Sequence, residues 1–147
     1  MKRKIEFRAM PHESEEFAVD NMDKFLYGFI MLIPERNKAF IRQFHYDLTV
    51  KHNNGWQSYR VDPETIGEYT GGKLNDTKIY QGDLIRVNEY LADDTVEKEA
   101  IYEVVYDEFG FFCRNEKDCY LSLFDIIKNY GGEIVGNIID NPELLAR

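Results

Sequence analysis

Residues 69–85 read YTGGKLNDTKIYQGDLI. This density of turn chemistry between short apolar pieces constrains the fold more than any other feature of the chain. Gly71 and Gly72 read as the point where an extended piece gives way to a turn. Asn75-Asp76 supplies the next reversal, because both side chains bond nearby backbone amides. Gly82 fits the positive-φ position of a type II turn, and Asp83 can accept the backbone N–H groups that follow it. A chain that turns this often does so to round the corners of a small barrel or roll.

The flanking segments fit that reading. KIEFRA alternates, with Ile5, Phe7 and Ala9 opposed to Lys4, Glu6 and Arg8, as in a half-buried strand. Residues 11–23 are polar and acidic and read as a loop or a short irregular helix. FLYGFIMLI at 25–33 is apolar on both faces and suits a buried strand, with Gly28 marking a bulge or a close backbone approach. Pro34 and Asn37 make a turn, AFIRQFHYDLTV is the partner strand, and 25–50 forms a hairpin. A turn at 51–55 leads into the alternating strand WQSYRV, and a Pro turn at 62–64 into an extended piece at 66–70.

Beyond the turn-rich stretch, LIRVNEYL pairs with AIYEVVYDEF, where Tyr102, Val104 and Tyr106 share a face. Gly110 breaks the run before FFCR. Ser122 is placed to cap a helix whose apolar face is Leu123, Phe124, Ile126 and Ile127 and whose stop is Gly131. EIVGNII is the last strand, and Asn141 is placed to cap a turn starting at Pro142. The expected fold is mainly β with minor α. A β-hairpin lobe over 1–61 joins an SH3-like barrel or roll with one short helix over 62–147, and the two can form one continuous domain.

Charge and cysteine content narrow the function classes. The formal net charge is -9, which repels phosphate backbones and disfavours nucleic acid as a partner. Cys113 and Cys119 are too few for a structural zinc site and read as reduced thiols, with a disulfide as the alternative where the segment between them turns back. MKRK is followed by Glu6 and Arg8 rather than an apolar run, so no signal peptide is read. The apolar run at 25–33 is far too short for a membrane span. Without secretion, the sequon Asn75-Asp76-Thr77 is accidental, and the expected compartment is the cytoplasm.

No phosphate-binding glycine loop, zinc-protease, serine-hydrolase or calcium-loop motif occurs. His45, His52 and Asp47 form a weak metal candidate against a default of exposed polar positions, and no metal or cofactor is expected. His12 is the remaining histidine, and Ser14, Ser58 and Ser122 lack a nucleophile setting. Asp93, Asp94, Glu97 and Glu99 read as a solvated hairpin tip, with loose calcium binding or phosphate mimicry as the sharper alternatives. Asp83 reads as a turn anchor before it reads as part of a groove.

The richest aromatic and basic cluster is Trp56, Tyr59 and Arg60 with Tyr46 and His52, and with His45, Lys51 and Asn53 nearby. Three readings of it stand: a core tryptophan with a polar rim, a protein interface, and a base-stacking surface.

EFRA, LYGF, VDPETIGEYTG, KIYQGDLI and the closing EIVGNIIDNPELL, in that order along nearly the whole chain, resemble the YopX family of small phage and prophage proteins. The chain departs from the family's pattern at Gly72, where a larger residue is usual, and in the longer acidic segment 11–23. The resemblance implies a mainly β fold with an SH3-like barrel portion and a phage setting. It carries over no catalytic residue, because the family has no established activity.

The expectation is a non-enzymatic accessory protein that acts through protein contacts and self-assembly. Its alternative is a nucleic-acid-associated protein that uses the cluster around Trp56 with Lys2, Arg3 and Lys4. A small hydrolase or nuclease using carboxylates that carry no motif is a distant third.

Overall fold

The computed structural model describes residues 4–15, 25–45, 55–90 and 97–146. It is mainly β, and the chain forms two compact units, Met1–Glu68 and Tyr69–Arg147. Among the described residues, no helix is long and apolar enough to cross a membrane.

In the first unit, strands β1 (Phe7–Ala9), β2 (Leu26–Ile33), β3 (Lys38–His45) and β4 (Gly55–Val61) pair antiparallel in the order β4-β3-β2-β1. The β2–β3 turn is a single 3-10 turn, Pro34–Arg36, closed by Asn37 in the left-handed region at φ 48. Asparagine tolerates that conformation because its short amide bonds the local backbone. Alternation puts Ala9, Leu26, Ala39, Ile41 and Val61 on one face, where they form the core, with Phe7, Ile30 and Tyr59 packed against it. A β-carbon on Gly28 would run into the carbonyl oxygen of Arg42 and lie 3.1 Å from Ile41 Cγ2, so the glycine marks a close approach of β2 to β3.

The outer edge of β4 is partly occupied. Pro11 bridges to Val61, the His12 N–H donates to the Arg60 carbonyl at 3.0 Å, and the Asp62 N–H donates to the Met10 carbonyl at 3.0 Å. The Met10 N–H donates to Thr65 Oγ1 at 2.9 Å, and β1 pairs with the opening of β5 (Gly67–Leu74) through Phe7↔Glu68 and Arg8↔Gly67. These bonds carry the first unit through Glu68, past the lobe end read from the sequence at Val61.

The second unit opens with the rest of β5 and β6 (Thr77–Tyr80). Strands β7 (Asp83–Tyr90), β8 (Glu97–Asp107), β9 (Gly110–Arg114), β10 (Tyr120–Ser122) and β11 (Glu133–Asn137) then form an antiparallel sheet in the order β10-β9-β8-β7-β11. A short helix, α1 (Leu123–Asp125), continues as a π-helical turn over Ile126–Tyr130. Ile79, Ile85, Val87, Tyr102, Val104, Cys113, Leu123 and Ile126 make the core. Each fully buried large aliphatic side chain is worth roughly 1.5–3 kcal/mol relative to exposure.

Four sequence expectations are corrected here. Gly71 and Gly72 do not form a turn: β5 runs through both, and the pairing jumps from Tyr69↔Tyr80 to Lys73↔Lys78 across a bulge. Gly71 takes the positive φ of 89, while Thr70 Oγ1 donates to the Ile79 carbonyl at 2.8 Å and accepts from the Gly72 N–H at 3.1 Å. Phe124 leaves the apolar face of the helix at 67% exposed, because only positions 123, 126 and 127 fall on one side at helical spacing. Asn141 does not cap the turn at Pro142 with its side chain; its Oδ1 accepts from the Asn137 N–H at 3.4 Å. Ile5 precedes β1 and is exposed.

Other local readings match. Asn75 and Asp76 both take positive φ, 48 and 64, between the paired Leu74 and Thr77, the geometry of a two-residue hairpin turn. Ser122 Oγ accepts from the Asp125 N–H at 3.0 Å, and Gly131 closes the helical turn in the left-handed region at φ 61.

Candidate interaction surface

Strand alternation gives the first unit's sheet a second face, away from the core. On β2 it carries Phe29 and Met31, 55% and 37% exposed. On β3, opposite them in register, stand Arg42 and Phe40, with Lys38 at the turn end; on β4, Arg60 lies opposite Phe40. Apolar contact area is therefore interleaved with cations, and no described charged residue at these register positions on β2, β3 and β4 is acidic. Toward β1 the face closes: Arg8, opposite Tyr27, is buried with the Phe25 ring 4.4 Å from its guanidinium carbon.

This face was not legible as a site from FLYGFIMLI, which reads as a strand buried on both sides. The side of Leu26 and Ile30 meets the core, with Leu32 at its end 57% exposed, and Phe29 and Met31 on the other side meet solvent. The available signal was in the partner strand, where Lys38, Phe40 and Arg42 alternate with the buried Ala39 and Ile41.

The aromatic and basic cluster read from the sequence divides. Tyr59 and Arg60 are neighbours in β4 and point to opposite faces: Tyr59 packs against the core, and Arg60 belongs to the outer face. The Tyr59 hydroxyl donates to Gln57 Oε1, and burial, then the nearby Glu15 carboxylate, raise the phenol above its ordinary range. The Arg60 N–H donates to Glu15 Oε1 at 2.7 Å. Trp56 stands in β4 opposite Phe44, its side chain outside the described set. Tyr46 and His52, together with Asp47, Lys51, Asn53, Asp93 and Asp94, also lie outside the described residues.

The turn residues take defined places. Gly82 sits at φ 91; its N–H donates to the Val104 carbonyl and its own carbonyl accepts from the Ile138 N–H, both at 2.8 Å. Asp83, 2% exposed, accepts the N–H of Tyr80 at 2.8 Å. This bonded amide precedes Asp83 in the chain.

A cleft of about 460 Å³ lies in the second unit, between Arg86, Glu99 and Ile101 of the sheet, Lys117 of the β9–β10 turn, and Leu144 of the last 3-10 turn. Arg86 already spans two carboxylates, Glu133 in a hydrogen-bonded pair and Glu99 at 3.8 Å, so the cleft shows no surplus charge for a ligand to answer. Among the described residues, no three His, Cys, Asp or Glu side chains cluster to hold a metal. Both thiols are free: Cys119 is exposed, and burial pushes the Cys113 thiol up to about 12.

A search of curated proteins finds no match. Among solved structures, the chain is similar to the crystal structure of protein EF1440 from Enterococcus faecalis, with a TM-score of 0.59 and 18% identity over 98% of this chain and 99% of that one. At that identity the likeness speaks for the fold alone. The model of the family described as YopX protein matches residues 7–146, nearly the whole sequence, and the chain therefore belongs to the YopX family.

Proposed function

We propose that this chain is a non-enzymatic accessory protein of a phage or prophage, working in the bacterial cytoplasm as a protein-interaction module. The observation that carries the reading is the outer face of the first unit's sheet, where the exposed Phe29 and Met31 are framed by Lys38, Arg42 and Arg60. Large apolar side chains left in solvent at the centre of a sheet mark contact surfaces, and aromatics with arginine carry most interface energy.

A photocrosslinking amino acid at Phe29 tests this in cells that express the chain. Defined protein adducts at that position, and none from the exposed Lys73, are the expected result. Equal labelling at both positions, or none at Phe29, sinks the reading.

A second reading has its own support. Aromatic and cationic residues on an open sheet face suit stacking of single-stranded bases, against the adverse net charge of -9. It requires anisotropy of a labelled oligonucleotide to rise at low salt, fall steeply with added salt, and weaken in Arg60→Ala. No rise at low salt removes it.

A further inference from the structure

Charge is divided unevenly between the two units. Residues 1–68 carry ten Lys or Arg and eleven Asp or Glu, a net of -1. Residues 69–147 carry eight and sixteen, a net of -8. Nearly all the net negative charge of the chain thus belongs to the second unit, and the outer face of the first has a cationic frame.

The second unit also offers an apolar projection with acidic flanks. The β8–β9 hairpin turns through Asp107, Glu108, Phe109 and Gly110, with the Phe109 N–H donating to Asp107 Oδ1 at 2.8 Å and Gly110 at φ 126. Phe109 is 87% exposed, the most exposed large apolar side chain among the described residues, and Asp107 and Glu108 are exposed beside it. Below the tip, Tyr106 is 53% exposed and meets Phe111 edge-on with centroids 4.9 Å apart, which stiffens the base of the projection.

From this complementarity we infer that the occupant of the first unit's open face is the β8–β9 tip of a second copy of this chain. Phe109 packs against Phe29 and Met31, while Asp107 and Glu108 meet Lys38 and Arg42. The inference rests on the reading of that face as a docking surface, and it names the partner. Such a contact joins different patches on two copies, so it closes reciprocally as a pair or onward as a ring, or propagates as a filament. Its apolar centre sets the affinity, and its charged rim makes association sensitive to salt.

Sedimentation velocity on the full chain tests it. The expected result is a shift to larger species with rising concentration, reduced at high salt. Phe109→Ser, Arg42→Glu and Glu108→Lys should each sediment as monomers while keeping the wild-type circular dichroism. An equimolar mixture of Arg42→Glu with Glu108→Lys should associate again, because the native tip of the first meets the native face of the second and the reversed face of the first meets the reversed tip of the second.

A wild-type chain that stays monomeric at every concentration and salt overturns the inference. Single variants that associate like the wild type, or a mixture that fails to recover, do so too. If the crosslinker at Phe29 captures a different protein, the docking reading stands and this inference fails. If a single-stranded oligonucleotide binds the face of a monomeric chain and is lost in Arg42→Glu, both fail.

Discussion

The carboxylate of Asp83 accepts the backbone N–H of Tyr80 at 2.8 Å, and Asp83 itself is 2% exposed. Tyr80 ends β6 and Asp83 opens β7, so this bond closes the reversal between them, while Gly82 ties the same turn to Val104 and Ile138. Asp83→Ala leaves a buried N–H without its acceptor, at a cost of about 1–3 kcal/mol. Asp83→Asn keeps an acceptor oxygen and should lose less. Urea unfolding should show a lower midpoint for the alanine variant with an unchanged slope. Equal midpoints for wild type and Asp83→Ala would show that the bond is not a fastener.

Gly28 and Gly72 should respond differently to alanine. At Gly28 the new methyl meets the carbonyl oxygen of Arg42, a backbone atom held in the β2–β3 ladder. At Gly72 it meets Ile127 Cδ1 at 2.8 Å, the far end of a flexible side chain that can rotate away. Overpacking costs about 1–3 kcal/mol when nothing can give. Gly28→Ala should fall in that range or beyond it, and Gly72→Ala below it. Thermal melts of the two variants in parallel decide the order, and a reversed order would mean that the β2–β3 ladder is the softer contact.

Asp76 holds φ 64 in the two-residue turn after Leu74, a conformation that glycine adopts without cost. Asp76→Gly relieves that strain, about 1–2 kcal/mol for a residue with a β-carbon, and should raise stability by the part that exceeds the roughly 0.4–1 kcal/mol of unfolded-chain entropy that glycine adds. The entropy that glycine adds to the unfolded chain works against the gain, so a variant less stable than wild type would show that the turn carries little strain. Differential scanning calorimetry reads the sign directly.

How much of this was legible in the sequence depends on range. Corners that a residue makes with its own neighbours could be read: the Asn75-Asp76 turn, the Ser122 cap and the Gly131 stop all join positions a few residues apart, and Gly82 was legible through its own positive φ although its bonds reach Val104 and Ile138. Features set by distant partners could not. Gly71 and Gly72 look like a turn until the pairing partner, Thr77–Tyr80, shows that the strand continues through a bulge. The open face carrying Phe29 was hidden for the same reason, since apolar residues on both sides of a strand do not say which side has something to pack against. Tyr59 and Arg60 were grouped by proximity in the chain, and strand alternation then separated them.

Cys113 and Cys119 should behave as two chemically distinct thiols. Cys113 is fully buried between Val104 and Leu121 in register, and removal from water pushes its thiol from an ordinary value of about 9 up to about 12. Cys119 is exposed in the β9–β10 turn. A thiol-reactive aromatic disulfide at mildly alkaline pH should therefore modify one cysteine per chain quickly, and the second only when urea opens the sheet. Cys119→Ser should abolish the fast phase and leave the slow one. The same burial links stability to pH. Because the folded value lies above the unfolded one, the folded state holds its proton longer. The stabilisation is complete below about pH 9 and is lost as the pH climbs from there toward about 12. Melting temperatures measured across that window should fall more steeply for wild type than for Cys113→Ala, which has no proton to lose. Parallel slopes would mean that Cys113 reaches water before the chain unfolds.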